Sequence, residues 1–157
     1  MACKLGIGSI VEIATPRGYA YAQYTLRHAN YGHLIRVMKG LYEDPQTDLD
    51  FLVNKTTLFF IFFPLAKALK EKVVKCIGER PVPDSAAKFP TFKQGTPHPK
   101  TKQVSTWHFW DGENRWSKPN SELTEEEKNY SLLCIASLDA LHYRIENQWT
   151  PRQDFPD

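Results

Sequence analysis

His28, His33 and Arg36 are the residues whose types and spacing come nearest to chemistry. His28 and His33 flank a turn with Arg36 nearby, and a His-Arg pair on a small barrel could do general acid–base chemistry on a phosphodiester. The same residues suit a polar turn between strands, and spacing alone does not choose between the two. His108 stands between tryptophans and reads as an ordinary strand residue. His142 lies on the apolar side of a helical pattern and reads as a partly buried, hydrogen-bonded histidine. Cys3, Cys76 and Cys134 are odd in number and lack CxxC or metal-ligand spacing, so they read as reduced thiols. No GxGxxG, P-loop, HExxH or GxSxG occurs, which leaves nucleotide binding, zinc hydrolysis and serine-hydrolase chemistry without a motif. The expectation is a chain with no catalytic residue, no metal and no cofactor.

The densest feature is the stretch Thr106 to Trp116, which carries Trp107, Trp110 and Trp116, three of the four tryptophans. Alternation in a strand sets Trp107, Phe109 and Asp111 on one face and His108 and Trp110 on the other, so one face is expected in the core and the other exposed. Aromatic side chains combine large apolar area with a polar handle, which suits both core anchors and interface anchors. The formal net charge of +2 does not favour wholesale binding to a polyanion, but it is unevenly spread. Pro64 to Lys102 holds nine Lys or Arg against Glu71, Glu79 and Asp84, a balance of +6. Asp111 to Asn147 holds eight acids against four bases, a balance of −4. An acidic flank beside an aromatic strand suits a basic protein partner better than a nucleic acid. The expected partner-binding residues are therefore Trp110, Trp116, Asp111, Glu113, Glu125 and Glu126. The acidic loop Tyr42 to Asp50, with Glu43, Asp44, Asp48 and Asp50, is the alternative surface.

These residues must be positioned by a modest scaffold. A chain of 157 residues accommodates one domain spanning 1–157, large enough to bury about two-thirds of its extended surface. Leu58 to Phe63 is the strongest apolar run and is too short to cross a bilayer, and the amino terminus lacks a signal-peptide core, so the reading is a soluble cytoplasmic chain. Gly8 to Ala14 reads as a buried strand. Thr15-Pro16-Arg17-Gly18 turns it into a second strand over Tyr19 to Leu26, where small alanines alternate with tyrosines. His33 to Met38 and Thr57 to Phe63 read as further strands, Leu65 to Lys70 as a helical turn or two, and Lys72 to Gly78 as another strand. The proline-rich segment 79–99 excludes a long helix or strand, and Phe89 and Phe92 are expected to dock it on the domain. Thr124-Glu125-Glu126-Glu127 has capping-box spacing and should start a helix; Ser137 to Ile145 adds another, with Leu138, Leu141, His142 and Ile145 on one face. The stretch Tyr130 to Ala136 is open to either reading. The class is α+β and mostly β: a strongly bent antiparallel sheet or partly open small barrel with C-terminal helices.

Several patches in order along the chain resemble the immunity protein 26 family: Gly8-Ser9-Ile10-Val11-Glu12-Ile13, Gly18-Tyr19-Ala20-Tyr21-Ala22-Gln23, Phe63-Pro64-Leu65, Ile77 to Pro83, Pro90-Thr91-Phe92-Lys93 and Trp107 to Gly112. The resemblance runs from about Gly6 to Trp149. The long polar stretch between Gly40 and Asn54 and the tyrosine-rich second strand depart from it. The resemblance implies a bacterial cytoplasmic protein that binds and neutralises a cognate toxin by stoichiometric protein–protein interaction, with no chemistry of its own. Two rivals stand beside it: a small-barrel ribonuclease using His28, His33 and Arg36, and a nucleic-acid-binding module using the basic segment from Lys67 to Lys102.

Overall fold

The computed structural model describes residues 3–154. The strands are β1 (Ser9–Thr15), β2 (Gly18–His28), β3 (Gly32–Met38), β4 (Thr57–Phe62), β5 (Lys75–Glu79), β6 (Phe92–Gln94), β7 (Thr106–Trp110), β8 (Arg115–Pro119) and β9 (Ser131–Leu132). The helices are α1 (Leu49–Val53), α2 (Leu65–Lys70), α3 (Asp84–Ala87), α4 (Glu125–Lys128) and α5 (Leu138–Glu146), with 3-10 turns at Asn120–Glu122 and Pro151–Asp154. One antiparallel sheet runs β4-β3-β2-β1-β5, and a second runs β8-β7-β6-β9 with β9 parallel to β6.

The segment after α4 joins the two sheets. Its first half, β9, pairs with β6, and its second half bridges β4 through Ile135 and Phe62. Phe60 donates its N–H to Ser131 Oγ at 2.9 Å, and Ala136 donates to the Phe62 carbonyl at 2.9 Å. The stretch Tyr130 to Ala136 is thus extended rather than helical, and the two sheets form one bent, unclosed surface, the α+β and mostly β class expected.

Both faces of the first sheet are covered, which explains why β1 and β3 are apolar almost without interruption. On one face Val11, Ile13, Ala20, Ala22, Ile35, Val37 and Ile61 pack under Leu141 and Ile145 of α5 and Leu65 and Ala68 of α2. Ala20 and Ala22 leave room for the helix, while Tyr21 points to the other face, where Ile10 and Met38 meet Leu52 and Val53 of α1. Further along that face Leu34 and Phe62 meet Phe92 and Trp110 of the second sheet. Burial of each such side chain contributes about 1.5–3 kcal/mol.

The Pro16-Arg17 turn joins β1 to β2 as expected, with Thr15 Oγ1 donating to the Gly18 carbonyl at 2.9 Å. Phe92 is 1% exposed and Phe89 packs beside it at 5.7 Å between rings, so the proline-rich segment lies on the domain, broken into α3 and β6. The capping box at Thr124 forms with both reciprocal hydrogen bonds, and Ser137 caps α5. Three expectations are corrected. The strand expected from Lys72 starts at Lys75, because Lys72 takes a left-handed conformation (φ 59°) and Val73 donates back to the Ala68 carbonyl to close α2. Cys3 and Cys76 are not free thiols but a disulfide with Cα atoms 5.9 Å apart; only the fold brings the amino terminus against β5. His142 is partly buried, yet its Nε2 has no hydrogen-bond partner. Among the described residues no helix is long and apolar enough to cross a membrane.

Candidate partner-binding surface

The aromatic residues of β7 are covered on both sides of the strand, while Thr106 and His108 stay exposed. Trp107 and Phe109 face outward from the first sheet but are covered by Val104, Leu123, Tyr130 and Leu132. Trp110 faces inward, 6% exposed, among Leu34, Phe62 and Phe92. The expectation of an exposed β7 face is corrected for Trp110, which is a core residue rather than a surface anchor; on that face Thr106 and His108 are exposed. The physical reason is the second sheet itself: packing against β4 needs an inward aromatic, and the chain from 120 to 132 folds back over the outer side.

Trp116 is different. It sits opposite Phe109 on the edge strand β8, is 37% exposed, and stacks on the Phe109 ring at 5.7 Å with 19° between planes. The exposed indole is thereby held in one orientation, which lowers the entropy cost of presenting it to a partner. Pro119 and the two cations Arg115 and Lys118 on the same strand protect the free edge from pairing with another chain.

The four acidic residues expected beside the tryptophans are used in different ways. Asp111 Oδ1 accepts the N–H groups of Asn114 at 2.7 Å and Glu113 at 3.0 Å, which closes the β7–β8 turn and holds the carboxyl below the usual carboxylate range. Glu113 stays exposed at the turn. Together with His28, Phe89 and Gly112 the two acids line a shallow cleft of about 270 Å3. Gly112 is required there: its φ is +98°, and a Cβ would stand 2.9 Å from the Phe89 ring. Glu125 is committed to Lys128 and Arg152, each at 3.1 Å, and these bonds hold its carboxyl low. Glu127 in turn is held low by Lys118 at 2.8 Å and by the Thr124 N–H. Glu126 remains exposed. The acidic balance of this region is thus partly cancelled by neighbouring bases, and of the residues expected there Trp116, Glu113 and Glu126 are exposed.

The alternative acidic loop between β3 and α1 is well pinned. Tyr42 exchanges two main-chain hydrogen bonds with Tyr19 at 2.7 and 2.9 Å, and Gly40 donates to Gln148 Oε1 at 2.8 Å. Tyr21 Oη bonds to Glu12 at 2.9 Å and accepts the Gln46 N–H; burial and Glu12 push its pKa up to about 12. Between these pins Glu43 and Asp44 are exposed, Asp48 caps α1, and Asp50 pairs with Arg80 at 2.7 Å. Phe51, 42% exposed, stands beside them with the Lys55 ammonium 4.3 Å from its ring centre.

His28, His33 and Arg36 do not converge. Arg36 is 2% exposed, and its guanidinium donates to Gln23 Oε1 at 2.9 Å, the Val53 carbonyl at 2.7 Å and Thr57 Oγ1 at 3.2 Å. His28 Nδ1 accepts the N–H groups of Asn30 and Tyr31 in its own turn, at 3.0 and 3.3 Å. His33 stands against the Tyr24 ring, and burial with Arg27 nearby lowers its pKa. His108 is exposed on β7, as an ordinary strand residue. Among the described residues no three His, Cys, Asp or Glu side chains are grouped so as to hold a metal ion.

Comparison with protein-family models, with curated proteins and with solved structures finds no match. Sequence reasoning missed the cleft at Phe89 and the use of Asp111 in the turn, although Asp111-Gly112 is itself a turn signal.

Proposed function

We propose that this chain is an immunity-type protein that binds a cognate toxin domain stoichiometrically and neutralises it in the bacterial cytoplasm, with no catalysis of its own. The observation that carries the reading is Trp116, a large aromatic side chain exposed on an edge strand yet locked against Phe109. Rigid, partly exposed tryptophans are the residues on which binding energy concentrates. The exposed carboxylates of Glu113, Glu126, Glu43 and Asp44 add a means of steering a basic partner. The resemblance to the immunity protein 26 family points the same way. The Cys3–Cys76 disulfide stands against the cytoplasmic part of this reading, because thiols there are kept reduced.

The test is binding of the purified chain to the product of a toxin-like reading frame adjacent to its gene. A 1:1 complex that suppresses the toxin's activity is expected. Failure of that product to bind, or binding without suppression, overturns the proposal.

A further inference from the structure

Against Trp107, on the outer side of the second sheet, lies a cavity of about 680 Å3, within the roughly 300–1,000 Å3 span of small-molecule sites. Its floor is apolar, with Val104, Leu123 and Leu132 beside the indole. Its rim is rich in donors: Lys102, Gln103, Asn120, Ser121 and Lys128 line it, and no carboxylate is among the lining residues.

The rim is braced. Trp107 Nε1 can only donate, and it does so to Asn120 Oδ1 at 2.9 Å. The Asn120 amide is thereby oriented, with both Nδ2 hydrogens left for another acceptor. The arm that carries Lys102 and Gln103 closes on itself through His98, whose N–H donates to the Gln103 carbonyl and whose carbonyl accepts from Lys102, both at 2.8 Å. At its base a Cβ on Gly95 would collide with Val104, so glycine is what lets the arm lie down on the floor. Lys128 meets Glu125 at 3.1 Å, a single bond from a group with three donors.

The geometry points to a binding site for a small organic anion: a carboxylate or phosphate, taken by Lys102, Lys128 and the Asn120 amide, on a flat apolar body that rests on Val104, Leu123 and Leu132. Charge-assisted hydrogen bonds at the rim select the anionic head, and the floor selects against a bare inorganic ion. This assignment is independent of toxin binding.

Titration of the full chain with phenyl phosphate and with phenylacetate, followed through the side-chain amide resonances of Gln103 and Asn120, decides it. At least one of the two should shift these resonances saturably, and the tighter one identifies the head group. Phenol and inorganic phosphate should each bind about tenfold more weakly or worse. Lys102→Ala should weaken binding about tenfold, whereas Lys100→Ala, on the same arm but outside the lining, should not. No saturable shift, equal binding of phenol, or an equal effect of the two lysine variants would each overturn the assignment.

Discussion

A guanidinium taken out of water with no carboxylate beside it is held by hydrogen bonds alone, and Arg36 is such a case. Gln23 completes the arrangement: its Oε1 accepts from Arg36 while its Nε2 donates to the Arg80 carbonyl at 2.8 Å and the Gly8 carbonyl at 3.3 Å, so one buried amide ties β2 to the residue before β1 and the residue after β5. Gln23→Leu should destabilise the fold by about 1–3 kcal/mol for each buried group left unpaired, read as a lower urea midpoint with an unchanged slope. Tyr21 gives a pH signature. Its folded pKa of about 12 exceeds the ordinary tyrosine value of 10.0, so the folded chain binds the proton more tightly. Its contribution is therefore present below pH 10 and lost as pH rises through 12. Urea midpoints should fall across that window, and Tyr21→Phe should remove part of the slope; Tyr42 and Tyr130, also raised by burial, account for the remainder. An unchanged slope in Tyr21→Phe would exclude this source.

The elements divide into those that local sequence specifies and those that tertiary packing specifies. The Pro16-Arg17 turn, the capping box at Thr124 and the apolar run of β4 were legible because each depends on a few adjacent residues. The parallel β6–β9 pairing, the extended path from Tyr130 to Ala136 and the covering of Trp107, Phe109 and Trp110 on the two sides of β7 were not, because they depend on segments far apart in the chain. This is also why the candidate site was only partly legible: Trp116 and Glu113 stay on the surface, whereas Trp110 is drawn into the core by β4 and Phe92. Trp110→Ala and Phe92→Ala should each cost about 3–5 kcal/mol through the cavity left behind, with Phe89→Ala, half-buried, costing less. Gly112→Ala should also destabilise, through its positive φ and the Phe89 ring. Thermal melts check all four, and a Trp110→Ala variant that melts like the parent would return that residue to the surface.

At the scale of the whole molecule, the disulfide and the partner surface make separate demands. The Cys3–Cys76 bond spans a separation of 73 residues, and reduction should lower stability by about 2–4 kcal/mol if chain entropy dominates. Thiol titration under denaturing conditions should find Cys134 alone in the oxidised protein. Partner binding is then best examined on variants that leave this frame intact. Trp116→Ala removes an indole from an edge strand without opening the core, so its Tm should stay near that of the parent. Its affinity for the toxin domain should fall by more than about 2 kcal/mol, mostly through faster dissociation, because a central anchor is lost. Glu113→Lys combined with Glu126→Lys should act on the other arm of the kinetics, slowing association and flattening its dependence on salt. The same reversal at Glu125 would be uninformative, since it also breaks the bonds to Lys128 and Arg152. If Trp116→Ala binds as the parent does while Glu43→Lys with Asp44→Lys slows association, the contact lies on the pinned loop between β3 and α1, with Phe51 as its anchor. Phe51→Ala should then show the faster dissociation expected here of Trp116→Ala.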